Sequence, residues 1–190
     1  MNKQPEITDA TRAALKSAFI SLAMEQSIRK ISIKEITDIA GYSRITFYRY
    51  FIDVYDVLES IEDECINSIK KGISKYFTTH EVIDSSFFYI FLDVFHEKNA
   101  EFSIVLSDEN RVSMIKRLQA NLIDSFFLQI EETYRNKLIM ETYFNGVFSA
   151  IAMHLNNPNE MTDLELINML QDLFSNWFWP KITGESNNSF

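Results

Sequence analysis

The chain has 190 residues, 46% of them hydrophobic, and carries a net charge of -9 with a pI of about 4.8. Its length suffices for a core of its own, and four Gly and three Pro give few breaks between helices, so we expect an all-α fold. The single cysteine, Cys65, excludes an internal disulfide and a cysteine-based zinc cluster and suits a reducing compartment. Since residues 1–6 lack the features of a leader and no apolar run reaches the ~20 residues of a membrane span, we expect a cytoplasmic protein.

The N-terminal third predicts three helices. The first is expected from about Thr8 to Gln26, with an apolar face formed by Leu15, Ala18, Phe19 and Leu22. Ser32-Ile33-Lys34-Glu35 has the pattern of a capping box, which predicts a second helix from Ile33 to Ala40. Gly41 follows directly, and glycine adopts the left-handed conformation of a helix end without steric strain.

Ser43 is expected to cap a third helix after this turn. In that helix Phe47 and Phe51 face inward with Tyr50 beside them. The outer side and the N-terminal end then hold Arg44, Ile45, Thr46, Tyr48 and Arg49. Two helices joined by a turn of three or four residues form a helix-turn-helix, whose second helix enters the DNA major groove.

Six residues of this stretch resemble the signature of the TetR family of bacterial transcriptional regulators: Ala40, Gly41, Ser43, Thr46, Tyr48 and Phe51. The resemblance extends from about Thr11 to Leu58. It implies a helix-turn-helix DNA-binding domain at residues 1–52. We expect a helical effector-binding and dimerisation domain at residues 53–183 and a flexible tail at residues 184–190.

The resemblance also implies roles for individual residues at DNA. Arg44, Ile45 and Thr46, with Arg49, match base-reading positions. Ser32, Lys34, Tyr48 and Tyr50 match positions that hold the DNA backbone, and Ser43 completes the predicted DNA-binding set. The chemistry agrees, because arginine can bond guanine O6 and N7 while an isoleucine or threonine methyl can contact a thymine methyl. The sequence departs from the family at Val54, where a lysine usually contacts a phosphate.

The distribution of charge supports a DNA-binding N-terminal segment. Residues 1–51 contain eight lysines and arginines against five acidic residues, whereas the remainder contains ten against twenty-two. The positive third is expected to orient the molecule towards phosphate, although the few cations predict modest nonspecific binding.

The rest of the chain predicts further helices. Asp53 is expected to cap a long helix ending near Phe77, on which Glu62-Asp63-Glu64 form a solvated face because adjacent helical positions point apart. Thr162 to Glu165 has a second capping-box pattern, and Pro180 predicts a helix end. The remaining helices are expected at about residues 82–97, 100–106, 109–134, 136–155 and 163–179.

The last two long helices are the predicted dimer interface, which the resemblance also implies. Their apolar stripes, which could equally be internal core, are Tyr143, Phe144, Val147, Phe148 and Ile151 on one helix and Ile167, Leu170, Leu173, Phe174 and Trp177 on the other.

Aromatic residues of the body suggest a site for a small apolar or aromatic effector, lined by Phe88, Phe91, Phe95, Phe126 and Phe127. No catalytic motif, metal-ligand cluster or cofactor signature is present, so we expect neither an enzyme nor a metal or cofactor. The favoured function is a homodimeric repressor released from a palindromic operator by an effector. The alternatives are a DNA-associated adaptor of the same fold acting through a protein partner and, more weakly, an enzyme in the helical body.

Overall fold

The computed structural model describes residues 5–80, 85–107, 109–126 and 133–183, which form helices and contain no strand. The predicted tail, residues 184–190, lies outside these ranges. No helix within them is long and apolar enough to span a bilayer. The α-helices of these ranges are α1 (Pro5–Glu25), α2 (Ile33–Ala40), α3 (Arg44–Phe47), α4 (Val54–Phe77), α5 (Ser85–Glu97), α6 (Asn99–Val105), α7 (Arg111–Phe126), α8 (Tyr134–Asn156), α9 (Asp163–Leu173) and α10 (Trp179–Thr183).

The chain forms two compact units that divide within α4, between Cys65 and Ile66. We call residues 1–65 the head and residues 66–190 the body. The first three turns of α4 belong to the head because their apolar residues, Val57, Leu58 and Ile61, are buried there. The functional division expected at residue 52 stays a prediction.

The core of the head is built from the apolar faces predicted for its helices. Leu15 and Phe19 of α1 are fully buried, as are Ile36 of α2 and Phe47 of α3. Phe51, which follows α3, is also buried. Burial of side chains this large contributes about 1.5 to 3 kcal/mol each, so the core holds the short helices α2 and α3 in place.

Polar contacts join α1 to α4 within the head. The Arg12 guanidinium lies 5.4 Å from the centre of the Phe51 ring and donates a hydrogen bond of 3.1 Å to Ser60 Oγ. The Lys16 ammonium pairs with the Glu64 carboxylate. The prediction that Glu62-Asp63-Glu64 form a solvated face is wrong for Glu62, which is buried, because the three side chains point in different directions around the helix.

The body is held together by aromatic rings from several helices. Tyr143 of α8 lies 4.2 Å, between ring centres, from Phe178 and 6.0 Å from Phe174. Phe174 in turn lies 5.9 Å from Phe88 of α5. Burial raises the pKa of the Tyr143 hydroxyl, so this residue stays neutral within the cluster.

Most residues of the predicted dimer stripe are buried within one chain, and their role at a dimer interface stays a prediction. Seven of its ten residues are buried within one chain: Tyr143, Val147, Phe148, Ile151, Ile167, Leu170 and Phe174. Because α8 and α9 pack against each other and against α5 and α6, these side chains already have partners. Only Phe144, Leu173 and Trp177 remain half-buried.

Two predicted helix boundaries are wrong. The helix expected to run to residue 134 is interrupted at Thr133, an extended residue that caps α8 by accepting from the Asn136 N–H at 3.1 Å, so α8 begins at Tyr134. Pro180 does not end a helix. It is the second residue of α10, and the helical backbone continues through it from the preceding residues. Phe174–Phe178 form a π-helical turn before it.

A hydrogen-bonded group links three helices of the body. Asp163, the first residue of α9, bonds His154 of α8 at 2.7 Å and His96 of α5 at 2.9 Å. His154 is buried, and its Nδ1 has no partner among the described residues. We call this group the His-Asp-His cluster. The described residues contain no group arranged to hold a metal ion.

Substitution of Gly72 tests the close approach of α4 and α5. A Cβ at this position would lie 2.6 Å from Ile90 Cγ2, which is part of a stiff β-branched side chain. We expect Gly72→Ala to lower the free energy of unfolding by about 1 to 3 kcal/mol through overpacking. The measurement is denaturant unfolding followed by circular dichroism at one protein concentration.

Gly146→Ala is the matched control for that substitution. Gly146 also lies within a helix, but nothing lies within 4 Å of a Cβ there. The added methyl should raise the free energy of unfolding by about 0.5 to 1 kcal/mol through helix propensity. If both variants change the free energy of unfolding in the same direction, the close contact assigned between Gly72 and Ile90 is contradicted.

Acid titration tests the His-Asp-His cluster. The hydrogen bond from His154 is the main cause that lowers the pKa of Asp163 below its ordinary value of 3.8. A lowered folded pKa stabilises the protein above the unfolded pKa, and this stabilisation is lost as the pH falls through the folded value. Between about pH 5 and pH 2.5, wild type should therefore lose more free energy of unfolding than Asp163→Asn. Equal losses in urea unfolding at each pH would contradict this.

Candidate nucleic-acid interface

The start and end of α2 have the geometry predicted for a helix before a tight turn. The Glu35 N–H donates to Ser32 Oγ at 3.3 Å, and the Ser32 N–H donates to the Glu35 carboxylate at 2.8 Å, which completes the capping box. At the other end, Gly41 has a φ of 72° in the left-handed region, and the Tyr42 N–H closes the turn on the Thr37 carbonyl. The left-handed backbone at position 41 therefore favours glycine.

Helix α3 is a single turn anchored at both ends. Ser43 caps it by accepting from the Thr46 N–H at 3.1 Å, and the two hydroxyls lie 3.0 Å apart. Phe47 is fully buried and lies 5.7 Å, between ring centres, from Phe51. The chain continues through a turn at residues 48–50, so the regular helix is shorter than expected.

The outer surface of α3 carries the side chains predicted to read bases. Arg44 and Arg49 are exposed, and neither forms an ion pair with any described residue. Ile45 is 72% exposed and Tyr48 is 61% exposed. Thr46 is half-buried, as is Tyr50, and the Thr46 hydroxyl is occupied at the cap. The Arg44 and Arg49 guanidinium groups are therefore charged donors available to reach a base edge.

Two of the predicted phosphate contacts already have partners within α2. The Ser32 hydroxyl donates to the Glu35 carboxylate at 2.7 Å, and this bond lowers the pKa of Glu35. The Lys34 ammonium lies 2.9 Å from Asp38, and both side chains are exposed. An exposed pair of this kind is worth about 0.3 to 0.5 kcal/mol, so a phosphate could displace it from Lys34. To donate to a phosphate, the Ser32 hydroxyl would instead have to break its hydrogen bond to the Glu35 carboxylate.

Val54 cannot provide a contact like that of the lysine usual in the family, because its side chain is buried. The start of α4 also carries two carboxylates. Asp53 accepts from the Asp56 N–H at 2.9 Å, and Asp56 accepts from the Ile52 N–H at 2.7 Å. Because these carboxylates already accept from the backbone amides and carry negative charge that repels phosphate, the start of α4 is a poor anion site.

Exposed apolar residues near α3 were missed by the sequence analysis. Ile39, which continues the apolar spacing of α2, is 56% exposed, and Ile52 is 79% exposed. Tyr55 at the start of α4 is also exposed. Helical spacing predicts an inner face but cannot identify an apolar residue that the neighbouring elements leave uncovered.

The predicted effector-site residues lie in α5 or beyond the described part of the chain. Phe88 and Phe95 are buried and pack against other rings, with Phe95 4.2 Å from Phe102 between ring centres, whereas Phe91 is half-buried. The side chain of Phe126 and the whole of Phe127 lie outside the described residues. The effector site stays a prediction.

Substitution of Gly41 tests the turn. A Cβ there would meet nothing within 4 Å, so the cost of Gly41→Ala is confined to the left-handed backbone, at about 1 to 2 kcal/mol of unfolding free energy. Asparagine tolerates this conformation better, so Gly41→Asn should cost less. Denaturant unfolding of both variants checks the order, and equal stability of alanine and glycine would contradict the assigned conformation.

Solved structures with a similar fold include TetR-family transcriptional regulators. A TetR-family regulator from Syntrophomonas wolfei has a TM-score of 0.67 and 17% identity over 96% of this chain and all of its own. One from Streptococcus agalactiae scores 0.63 at 16% identity over 88% of this chain and 99% of its own. The fatty acid degradation regulator FadR from Bacillus halodurans scores 0.62 at 15% identity over 91% and 96%.

No protein-family model matches the chain, and no curated protein is significantly similar to it in sequence. The structural similarity covers nearly the whole chain and therefore both units. The chain thus has the all-α fold of the TetR-family regulators, as the helix-turn-helix signature predicted.

Proposed function

We propose that this chain is a TetR-type DNA-binding transcriptional regulator, a cytoplasmic homodimeric repressor that a small-molecule effector releases from a palindromic operator. The observation that carries the proposal is the surface of α3. A capped single turn, held by Phe47, exposes Arg44 and Ile45 at its N-terminal end and Arg49 just after it. Arginine side chains without ion pairs, on a helix after a left-handed glycine turn, are suited to the major groove.

Dimerisation supplies the affinity that one short helix lacks. Two heads related by a two-fold axis would read half-sites about 34 Å or somewhat more apart. A candidate surface for the proposed dimer is the exposed side of α8 and α9, where Leu138, Met153, Leu164 and Met169 are solvent-exposed. The half-buried Phe144, Leu173 and Trp177 of the original stripe can extend it.

Release by an effector is compatible with the connectivity of the chain. Helix α4 is continuous from Val54 to Phe77 and supplies residues to both the head and the body. A ligand that binds the body better in a conformation unsuited to DNA would withdraw molecules from the operator in proportion to its differential affinity. The aromatic body suits an apolar or aromatic compound.

Selection of bound fragments from genomic DNA, with and without metabolite extracts, tests the function itself. We expect enrichment of a palindromic sequence that decreases when an extract contains the effector. Recovery of unrelated fragments with no shared sequence would contradict the proposal.

Substitution of Arg44 tests the base contact. Arg44→Ala should weaken binding to the selected operator by roughly 1 to 3 kcal/mol and relax preference at one base pair in each half-site. Arg44→Lys is the matched control, because it keeps the charge but loses the bidentate fork. Affinities should be measured over a range of salt concentrations by fluorescence anisotropy.

The two variants distinguish a contact of Arg44 with a base from a general effect of its positive charge. Lysine should retain the salt dependence of the wild type while losing the preference for guanine, whereas alanine should lose the preference for guanine and show a shallower salt dependence. If the lysine variant recognises the operator as well as wild type does, Arg44 contacts phosphate and the assignment to a base is wrong.

A further inference from the structure

A buried glutamine of the body has a side-chain donor without a partner. Gln119 of α7 is 7% exposed, and its Nε2 forms no hydrogen bond with any described residue. A buried amide that has lost water without gaining an acceptor destabilises the folded chain, and native proteins contain few such groups. An unpartnered donor at this depth therefore indicates a bond that something other than the described side chains completes.

The other buried side-chain atom without a partner in the described part of the chain differs from Gln119. It is Nδ1 of His154, whose ring is nevertheless held through Nε2 by Asp163 at 2.7 Å. No hydrogen bond to a described residue holds the amide of Gln119 in a similar way. Its polarity thus has no evident role in holding the helices together.

The surroundings of Gln119 are apolar. On α7 itself Met114, Ile115 and Leu118 are almost fully buried, and Ile115 lies one turn before Gln119. Helix α7 packs against α8, whose buried side chains are mostly aliphatic or aromatic. If position 119 only had to fill this core, a leucine or methionine would suit it better than an amide. A ligand with an acceptor for Nε2 explains the glutamine.

The nearby charges favour a ligand without a negative charge. The Lys70 ammonium of α4 donates to Asn121 Oδ1 at 2.8 Å. Asn121 points about 200° away from Gln119 around α7, so this ammonium lies on another side of the helix. Lys116, one turn before Gln119, is exposed to solvent. Neither cation is placed to offset the loss of water by an anion buried beside Gln119, which makes binding of an anion costly.

We propose that Gln119 is the hydrogen-bond donor of an effector site in the body, and that the effector is a neutral, mainly apolar compound with an acceptor oxygen such as a carbonyl group. Gln119 Nε2 donates to that oxygen and gains the bond that it lacks in the free protein. This inference rests on the proposed function. It adds a polar contact and a class of compound that the aromatic residues alone do not define.

Solvent partition tests the class of compound. A metabolite extract that releases full-length wild type from its selected operator is divided between ethyl acetate and water at about pH 2 and, separately, at about pH 11. Carboxylic acids enter the organic phase only in acid and amines only in base, whereas a neutral compound enters it at both. We expect the releasing activity in the organic phase at both pH values. Activity that enters at one pH only, or stays in water at both, would overturn the inference.

Gln119→Met tests the residue, because methionine has a similar length but no amide. Half-release of the operator should need about fivefold more of the neutral fraction than wild type needs, as expected for the loss of one hydrogen bond. Gln171→Met is the matched control. Gln171 lies in α9 of the same unit but is half-buried, so water can reach its amide, and this variant should respond like wild type.

Thermal unfolding without extract distinguishes a ligand contact from a structural role. Removal of an unpartnered buried amide should raise the unfolding midpoint of Gln119→Met by roughly 2 to 4 °C, whereas Gln171→Met should stay within about 1 °C of wild type. A lower midpoint for Gln119→Met would show that the free protein already satisfies the amide, as with an ordered water, and would refute the ligand contact.

The outcomes separate this inference from the proposed function. If an extract releases the operator but Gln119→Met responds to it like wild type, the contact is wrong while the regulator proposal stands. Absence of any selected operator, or of any extract that releases it, would overturn both.

Discussion

What α3 presents to its surroundings depends on the left-handed backbone at Gly41. With a φ of 72° there, the chain leaves α2 and reaches the Ser43 cap of the next helix within three residues. Both flanking helices are short, at eight and four residues, so neither would be stable alone. The turn fixes the direction of α3, and burial of Phe47 fixes its rotation, which leaves Arg44 and Ile45 on the outside.

Contacts with α1 and α4 hold the segment after α3 in place. Arg12 contacts Phe51 and Ser60 together, and Lys16 pairs with Glu64, so the residues that follow α3 are tied to both long helices. By contrast, Lys34 near the outer surface is paired with Asp38, whereas Arg44 and Arg49 form no ion pair with a described residue. Under the proposed function, DNA binding by this head would rest on these arginines and on the shape of α3.

Local signals in the sequence predicted most of the head and less of the body. The Ser32 capping box, the glycine turn and the Ser43 cap are each set by neighbouring residues, so they were predicted at the correct positions. The aromatic stripe at Tyr143 and Phe174 was ambiguous, because spacing identifies an apolar face but not whether the same chain covers it. Burial of Glu62, exposure of Ile39 and the His-Asp-His cluster depend on contacts between distant segments, which helical periodicity does not encode.

Insertion of α3 into the major groove is the central claim, and methylation interference on the selected operator tests it most directly. Dimethyl sulfate modifies guanine N7 in the major groove and adenine N3 in the minor groove, so it reports which groove the protein occupies. The account predicts interference at guanine N7 in each half-site, related by two-fold symmetry. Interference confined to adenine N3, or none at any guanine of the half-sites, would contradict it.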